Sequence, residues 1–285
     1  MALQKTMDVM FVIDATGSMS STIKAAHDKA SQIAVDLRVQ NSDIDFKFGS
    51  VCYRDPIDCP NDEHQFQDLT SNIDDLVEFF KGVSATGGGD GPEDIYGALK
   101  ITLEQTSWRT GAKSIIFIAD APAHGHDYCG TQNHEDQNGL LAPLLKKIAN
   151  RGISFTGMSI NGGCDQCLTK MKEDYEQGDG PDFIVESLNL RTYSHETREY
   201  AKVKKPKKER EHKPRMHKES GEEEEEALVG SLPSEDEYFD EMSGSDPDEV
   251  YEDDSAYIRG RMGKRTMVSC TRQIRRHYRS PEYKD

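Results

Sequence analysis

The chain has 285 residues, a net charge of −17 and only 35% hydrophobic residues. That acidic balance argues against general nucleic-acid affinity, and no apolar run approaches the eighteen or so residues that a membrane span requires. Apolar periodicity is confined to residues 1–195, which predicts one α/β domain there and a disordered, charged tail over 196–285.

The amino terminus, MALQKTMDV, passes straight into a strand with no separate apolar segment and cleavage site. This predicts no signal peptide, a cytoplasmic location, and free thiols for the six cysteines. Val9–Ile13 is short, β-branched and uncharged, as expected of a strand buried on both faces. It ends at Asp14. Apolar residues from Ile23 to Leu37 recur at helical spacing, predicting a helix over 20–37. Strands follow at 46–53 and, more polar and suited to an edge, at 64–69; helices are expected at 73–80 and 94–105. The run SIIFIA (114–119) is a second buried strand and again delivers an aspartate, Asp120. A helix at 139–149, a strand at 153–160, a helix at 167–175 and a short strand at 183–185 complete the pattern. Such alternation implies a three-layer, Rossmann-like, doubly wound and mostly parallel sheet with helices on both faces. Ligands of such sheets bind beyond the carboxyl ends of the strands, where Asp14 and Asp120 both fall.

Asp14, Thr16 and Ser18 place one carboxylate and two hydroxyls within five residues. Hard oxygen donors of this kind suit Mg²⁺ or Mn²⁺. The same residues also cap helices, and spacing alone does not separate the two roles. Asp14-Ala15-Thr16-Gly17-Ser18 resembles the D-x-[ST]-x-S metal-ion-dependent adhesion motif of von Willebrand factor type A domains. YRD (53–55), TGGGDGPED (86–94) and DAPAHG (120–125) extend the similarity over roughly residues 5 to 190. These spellings are most similar to the type A domains that accompany atypical α-type protein kinases.

The resemblance implies that Thr16 and Ser18 contact a cation directly, while Asp14 and Asp120 act mainly through water or as acceptors around it. A vacant coordination position would then take an acidic side chain from a protein partner. The family usually supplies a threonine from the third loop. Here Thr86, Asp90 and Glu93 are all available; Asp90, among glycines, is sterically free to approach. A carboxylate in that role would hold the metal more tightly and attract a partner carboxylate less. The glycine run also reads as a tight loop with Pro92 opening the next helix.

Other readings are weaker on the residues. DATGS and GDGPED resemble the phosphoaspartyl loops of P-type ATPases and related hydrolases, but Ala15 stands where those ATPases carry lysine. GDGPED also follows a polar loop rather than a buried strand. His124 and His126 have no motif-fixed nucleophile beside them, so turn or capping roles are expected. Trp108 reads as a packing residue. Cys164 and Cys167 form a CxxC without an evident second ligand pair, and they read as reduced loop cysteines rather than a zinc site.

The tail alternates basic (202–218), acidic (219–254) and basic (259–284) blocks. The first block could direct the chain to the nucleus or bind RNA weakly. Ser234, Ser243 and Ser245 sit in acidic contexts suited to an acid-directed kinase. No kinase nucleotide-binding elements are visible. The sequence therefore predicts a non-catalytic protein-binding module or, as an alternative, a regulatory or targeting module of an α-kinase-related protein.

Overall fold

The computed structural model describes residues 4–130 and 134–188, together with Cys270 and His277. Five strands run parallel: β1 (Lys5–Asp14), β2 (Ile44–Tyr53), β4 (Ala112–Ala119), β5 (Ile153–Ile160) and β6 (Phe183–Leu188). Between β2 and β4 in the chain comes β3 (Gln65–Thr70), which pairs antiparallel with β2. The spatial order is β3-β2-β1-β4-β5-β6, so the more polar 65–70 segment is indeed an edge strand. The helices are α1 (Ile23–Gln40), α2 (Ile73–Lys81), α3 (Ile95–Glu104), α4 (His126–Cys129), α5 (Leu141–Asn150) and α6 (Asp165–Tyr175).

Two cores lie on opposite faces of the sheet. Alternate side chains of a strand point to opposite faces, and β1 divides accordingly. Met7, Val9, Phe11 and Ile13 join α1 and α2 on one side. Met10 and Val12 join α3, α5 and α6 on the other. This two-sided burial is why β1 and β4 read as continuous apolar runs. The expected helix at 20–37 begins three residues later, because Gly17–Ser21 winds as a 3-10 turn before α1.

Two buried groups correct or extend the sequence reading. Cys164 lies in the turn before α6, at its N-cap, whereas Cys167 lies within α6; each is 1% exposed, and both are free. Asp8, inside β1, is buried and held by Arg109, whose Nε donates to Oδ1 at 2.7 Å and whose backbone N–H donates to Oδ2 at 2.6 Å. The same guanidinium reaches Asp45 Oδ2 at 2.6 Å, tying β1 to β2 through the segment before β4.

The tail expected over 196–285 lies outside the described residues except at two positions, and one of them is in the core. Cys270 is fully buried on the α1 side, its Sγ 3.9 Å from Ser114 Oγ. Trp108 packs as expected against the other core and donates from Nε1 to the Thr102 carbonyl at 3.0 Å.

Candidate metal centre

Strand register brings the two aspartates together. Ile13 of β1 pairs with Ile118 of β4, so Asp14 and Asp120 leave neighbouring strands at the same end. Asp14 is completely buried. Its Oδ1 accepts the Thr16 backbone N–H at 2.9 Å and the Thr16 hydroxyl at 2.7 Å, while the Tyr53 hydroxyl donates to Oδ2 at 3.4 Å. Ser18 is exposed, and its hydroxyl donates to Asp120 Oδ1 at 2.7 Å.

The Thr16 and Ser18 hydroxyl oxygens stand 3.2 Å apart. The Thr16 hydroxyl donates to Asp14 and the Ser18 hydroxyl to Asp120, which leaves lone pairs on both oxygens for a cation. Neighbouring oxygen ligands around Mg²⁺ lie about 3 Å apart at its usual bond lengths, so this pair is spaced as adjacent ligands of such an ion.

The structure places the three third-loop candidates differently. Thr86 is exposed and joins the first loop by its backbone, donating N–H to the Ala15 carbonyl at 3.0 Å. Asp90 is grouped with a different set of residues: it meets His134 Nε2 at 3.6 Å and lies among Asp55 and Asp58. Glu93 is the carboxylate that joins Asp14 and Thr16. It is 2% exposed and within hydrogen-bonding reach of the Thr16 side chain. Its placement depends on the glycine run. Gly88 adopts φ +80°, and a Cβ there would approach Glu93 Oε1 to 2.9 Å and Thr16 Cβ to 3.4 Å. The Glu93 backbone is pinned between its N–H, donated to Pro122, and its carbonyl, which accepts from His124.

These carboxylates are strained by one another's company. Burial pushes the Asp14 carboxyl up to about 7, with the charge of Asp120 adding to the effect and bonds from Thr16 opposing it. Burial and then the charge of Asp14 push Glu93 up to about 9. Glu93 Oε2 is buried without a hydrogen-bond partner among the described residues. A buried, unsatisfied carboxylate oxygen beside two hydroxyl oxygens is a donor set that fits a hard divalent cation.

Sequence comparison agrees with this geometry. A family model described as the von Willebrand factor A domain matches residues 8–136. The chain contains a von Willebrand factor A domain. It is similar to the Alpha-protein kinase vwkA of Dictyostelium discoideum, at 32% identity over 159 residues, 54% of this chain and 25% of the kinase. It is also similar to a Putative ariadne-like RING finger protein R811 of Acanthamoeba polyphaga mimivirus, at 32% identity over 121 residues, 42% of this chain and 12% of that protein. The chain thus spans a quarter or less of the length of these relatives. Among solved structures, the SpRpn10 VWA domain aligns with 69% of this chain and 95% of its own, at 12% identity and a TM-score of 0.48.

One of the two histidines departs from the expected turn or capping role. His126 opens α4, and its backbone N–H donates to Asn138 Oδ1 at 2.8 Å. His124, in contrast, is buried, with Nε2 3.1 Å from Asp55 Oδ2 and 2.9 Å from the Pro92 carbonyl. Sequence reasoning missed Asp55, Asp58 and His134. The YRD segment was visible, but no local spacing connects residue 55 to residues 124 and 134. Among the described residues, no helix is long and apolar enough to cross a membrane.

Proposed function

We propose that this von Willebrand factor A domain is an intracellular, non-catalytic protein-binding module that recognises an acidic side chain of its partner through Mg²⁺ or Mn²⁺. The observation that carries the reading is the pair of hydroxyl oxygens, Thr16 and Ser18, turned together between Asp14 and Asp120. Thr16 and Ser18 would hold the cation directly, Asp14 and Asp120 mainly through water, and Glu93 in the place the family usually gives to threonine. When bound, the cation supplies an electrophilic position for a carboxylate. Asp14, Thr16 and Glu93 are buried whereas Ser18 is exposed, so the approach for a partner is from the Ser18 side.

Glu93 makes this a more negative site than one with threonine. It favours tight metal retention and a weaker pull on the partner's carboxylate, so partner affinity must come substantially from the surrounding surface. The test is peptide display against the full chain. Sequences centred on Asp or Glu should be enriched in Mg²⁺ and lost both in EDTA and with Asp14→Asn. Enrichment of the same sequences in EDTA would overturn the reading.

The similarity to an α-protein kinase over a quarter of that protein's length favours a second role for the same surface. In that reading it is the targeting part of a larger protein, bringing an attached activity to the acidic partner.

A further inference from the structure

We propose a second metal site, for a first-row transition dication of the zinc class, built from His124, His134, Asp90 and Asp58, with Asp55 holding the His124 ring in place. The sequence scatters these residues over the loops after β2, before α3 and after β4. The parallel sheet gathers all of those loops at one edge. One nitrogen each from His124 and His134 and one oxygen from Asp90 lie within 4.8 Å of one another, and so do carboxylate oxygens of Asp55, Asp58 and Asp90.

Direct contacts draw the donor atoms of the group together. His134 Nε2 is 3.1 Å from Asp58 Oδ1 and 3.6 Å from Asp90 Oδ2. The His124 and His134 rings stack with centroids 4.1 Å apart and planes 13° apart, so their nitrogens lie side by side. Among the described residues, the ion-pair partners of Asp55 and Asp58 are imidazoles rather than lysine or arginine. An independent observation comes from His124, which is 5% exposed and whose Nδ1 is buried with no hydrogen-bond partner among the described residues. An imidazole committed to structure alone normally satisfies both nitrogens. Here the ring is anchored by Asp55 and the Pro92 carbonyl, the kind of carboxylate and carbonyl support that accompanies ligating histidines.

The donor set selects the ion. Two imidazoles with carboxylates suit Zn²⁺ and its neighbours, whereas Mg²⁺ and Ca²⁺ favour oxygen alone. This distinguishes the second site from the all-oxygen group at Asp14, Thr16, Ser18, Glu93 and Asp120. The two are mechanically joined: Pro92, whose carbonyl contacts His124, directly precedes Glu93.

The test uses the full chain carrying Asp14→Asn, so that its outcome does not depend on the Mg²⁺ reading. Zinc is counted by mass spectrometry after equilibrium dialysis against excess Mg²⁺, and Co²⁺ serves as a spectroscopic probe. The expected result is one tightly held zinc per chain, with His134→Ala and Asp58→Asn each weakening it by about tenfold or more. Both side chains are partly exposed, and unchanged circular dichroism confirms that these variants fold. Co²⁺ should give weak visible bands without an intense thiolate charge-transfer band. Zinc affinity unaffected by either variant would overturn the proposal. So would a thiolate band that disappears in Cys164→Ser with Cys167→Ser, or Ca²⁺ displacing zinc at equal concentration.

Discussion

Replacing Asp14 with asparagine should stabilise the metal-free protein and abolish the stabilisation that Mg²⁺ gives. The Asp14 carboxyl is wholly buried, and burial raises its pKa from 3.8 to about 7. Between those values the unfolded chain has released the proton while the native state keeps it, so stability is lost as pH rises. By pH 8 the loss in metal-free protein is on the order of 4 kcal/mol, taking about 1.4 kcal/mol per pKa unit. Asp14→Asn keeps an oxygen to accept from Thr16 and removes the charge, but its buried amide N–H groups cost about 1–3 kcal/mol where unpaired. The net gain is about 1–3 kcal/mol, or about 2–10 °C in melting temperature for a domain of this size. Mg²⁺ at a hundredfold excess over Kd should stabilise the wild type by about 2.7 kcal/mol and leave the variant unmoved. Calorimetric unfolding of both chains at pH 8, in EDTA and in Mg²⁺, reads all four values. If Asp14→Asn melts below the wild type in EDTA, or rises with Mg²⁺ as the wild type does, the reasoning fails.

Further outcomes follow from the same geometry. In EDTA, the wild-type melting temperature should fall between about pH 4 and pH 7, where the unfolded chain has released the Asp14 proton and the native state still holds it, and Mg²⁺ should flatten that slope; equal slopes with and without metal would contradict it. Arg109→Ala leaves Asp8 buried with its charge partly uncompensated and should cost about 3 kcal/mol in denaturant unfolding, against near-neutrality if the pair were only a surface contact. Gly163→Ala would place a Cβ 1.8 Å from the Asp120 carbonyl oxygen. That backbone clash should displace Asp120 and diminish the Mg²⁺-induced rise in melting temperature, while an unchanged rise would show that Asp120 does not take part.

Much of the architecture is legible because it rests on local patterns. β1 and β4 announce themselves as uncharged, β-branched runs, and each ends in the aspartate that the sheet then delivers to its edge. The order of strands and helices follows from alternation between the two periodicities. Thr16 and Ser18 are legible for the same reason, lying within a few residues of Asp14.

What local pattern could not supply is the path of a loop. Choosing Glu93 over Thr86 and Asp90 depends on how Gly87 and Gly88, both at positive φ, fold the chain back over Thr16. Asp8 and Arg109 are 101 residues apart and meet only because β1 lies beside β4. Of the CxxC cysteines, Cys164 does sit in the turn after β5, but α6 begins at Asp165 and carries Cys167 inward, and both are buried. Asp55, Asp58 and His134 each look like ordinary polar loop residues, and only the convergence of loops at the sheet edge gives them a shared role.

The most direct test of the central claim is a Mn²⁺ titration of the full chain, followed by the loss of the free-ion electron paramagnetic resonance signal, beside Asp14→Asn. The wild type should bind one more equivalent of Mn²⁺ than the variant, and Mg²⁺ should release that equivalent. Identical binding by the two chains would mean that Asp14, Thr16, Ser18, Glu93 and Asp120 hold no cation, and the metal-bridged partner would fall with it.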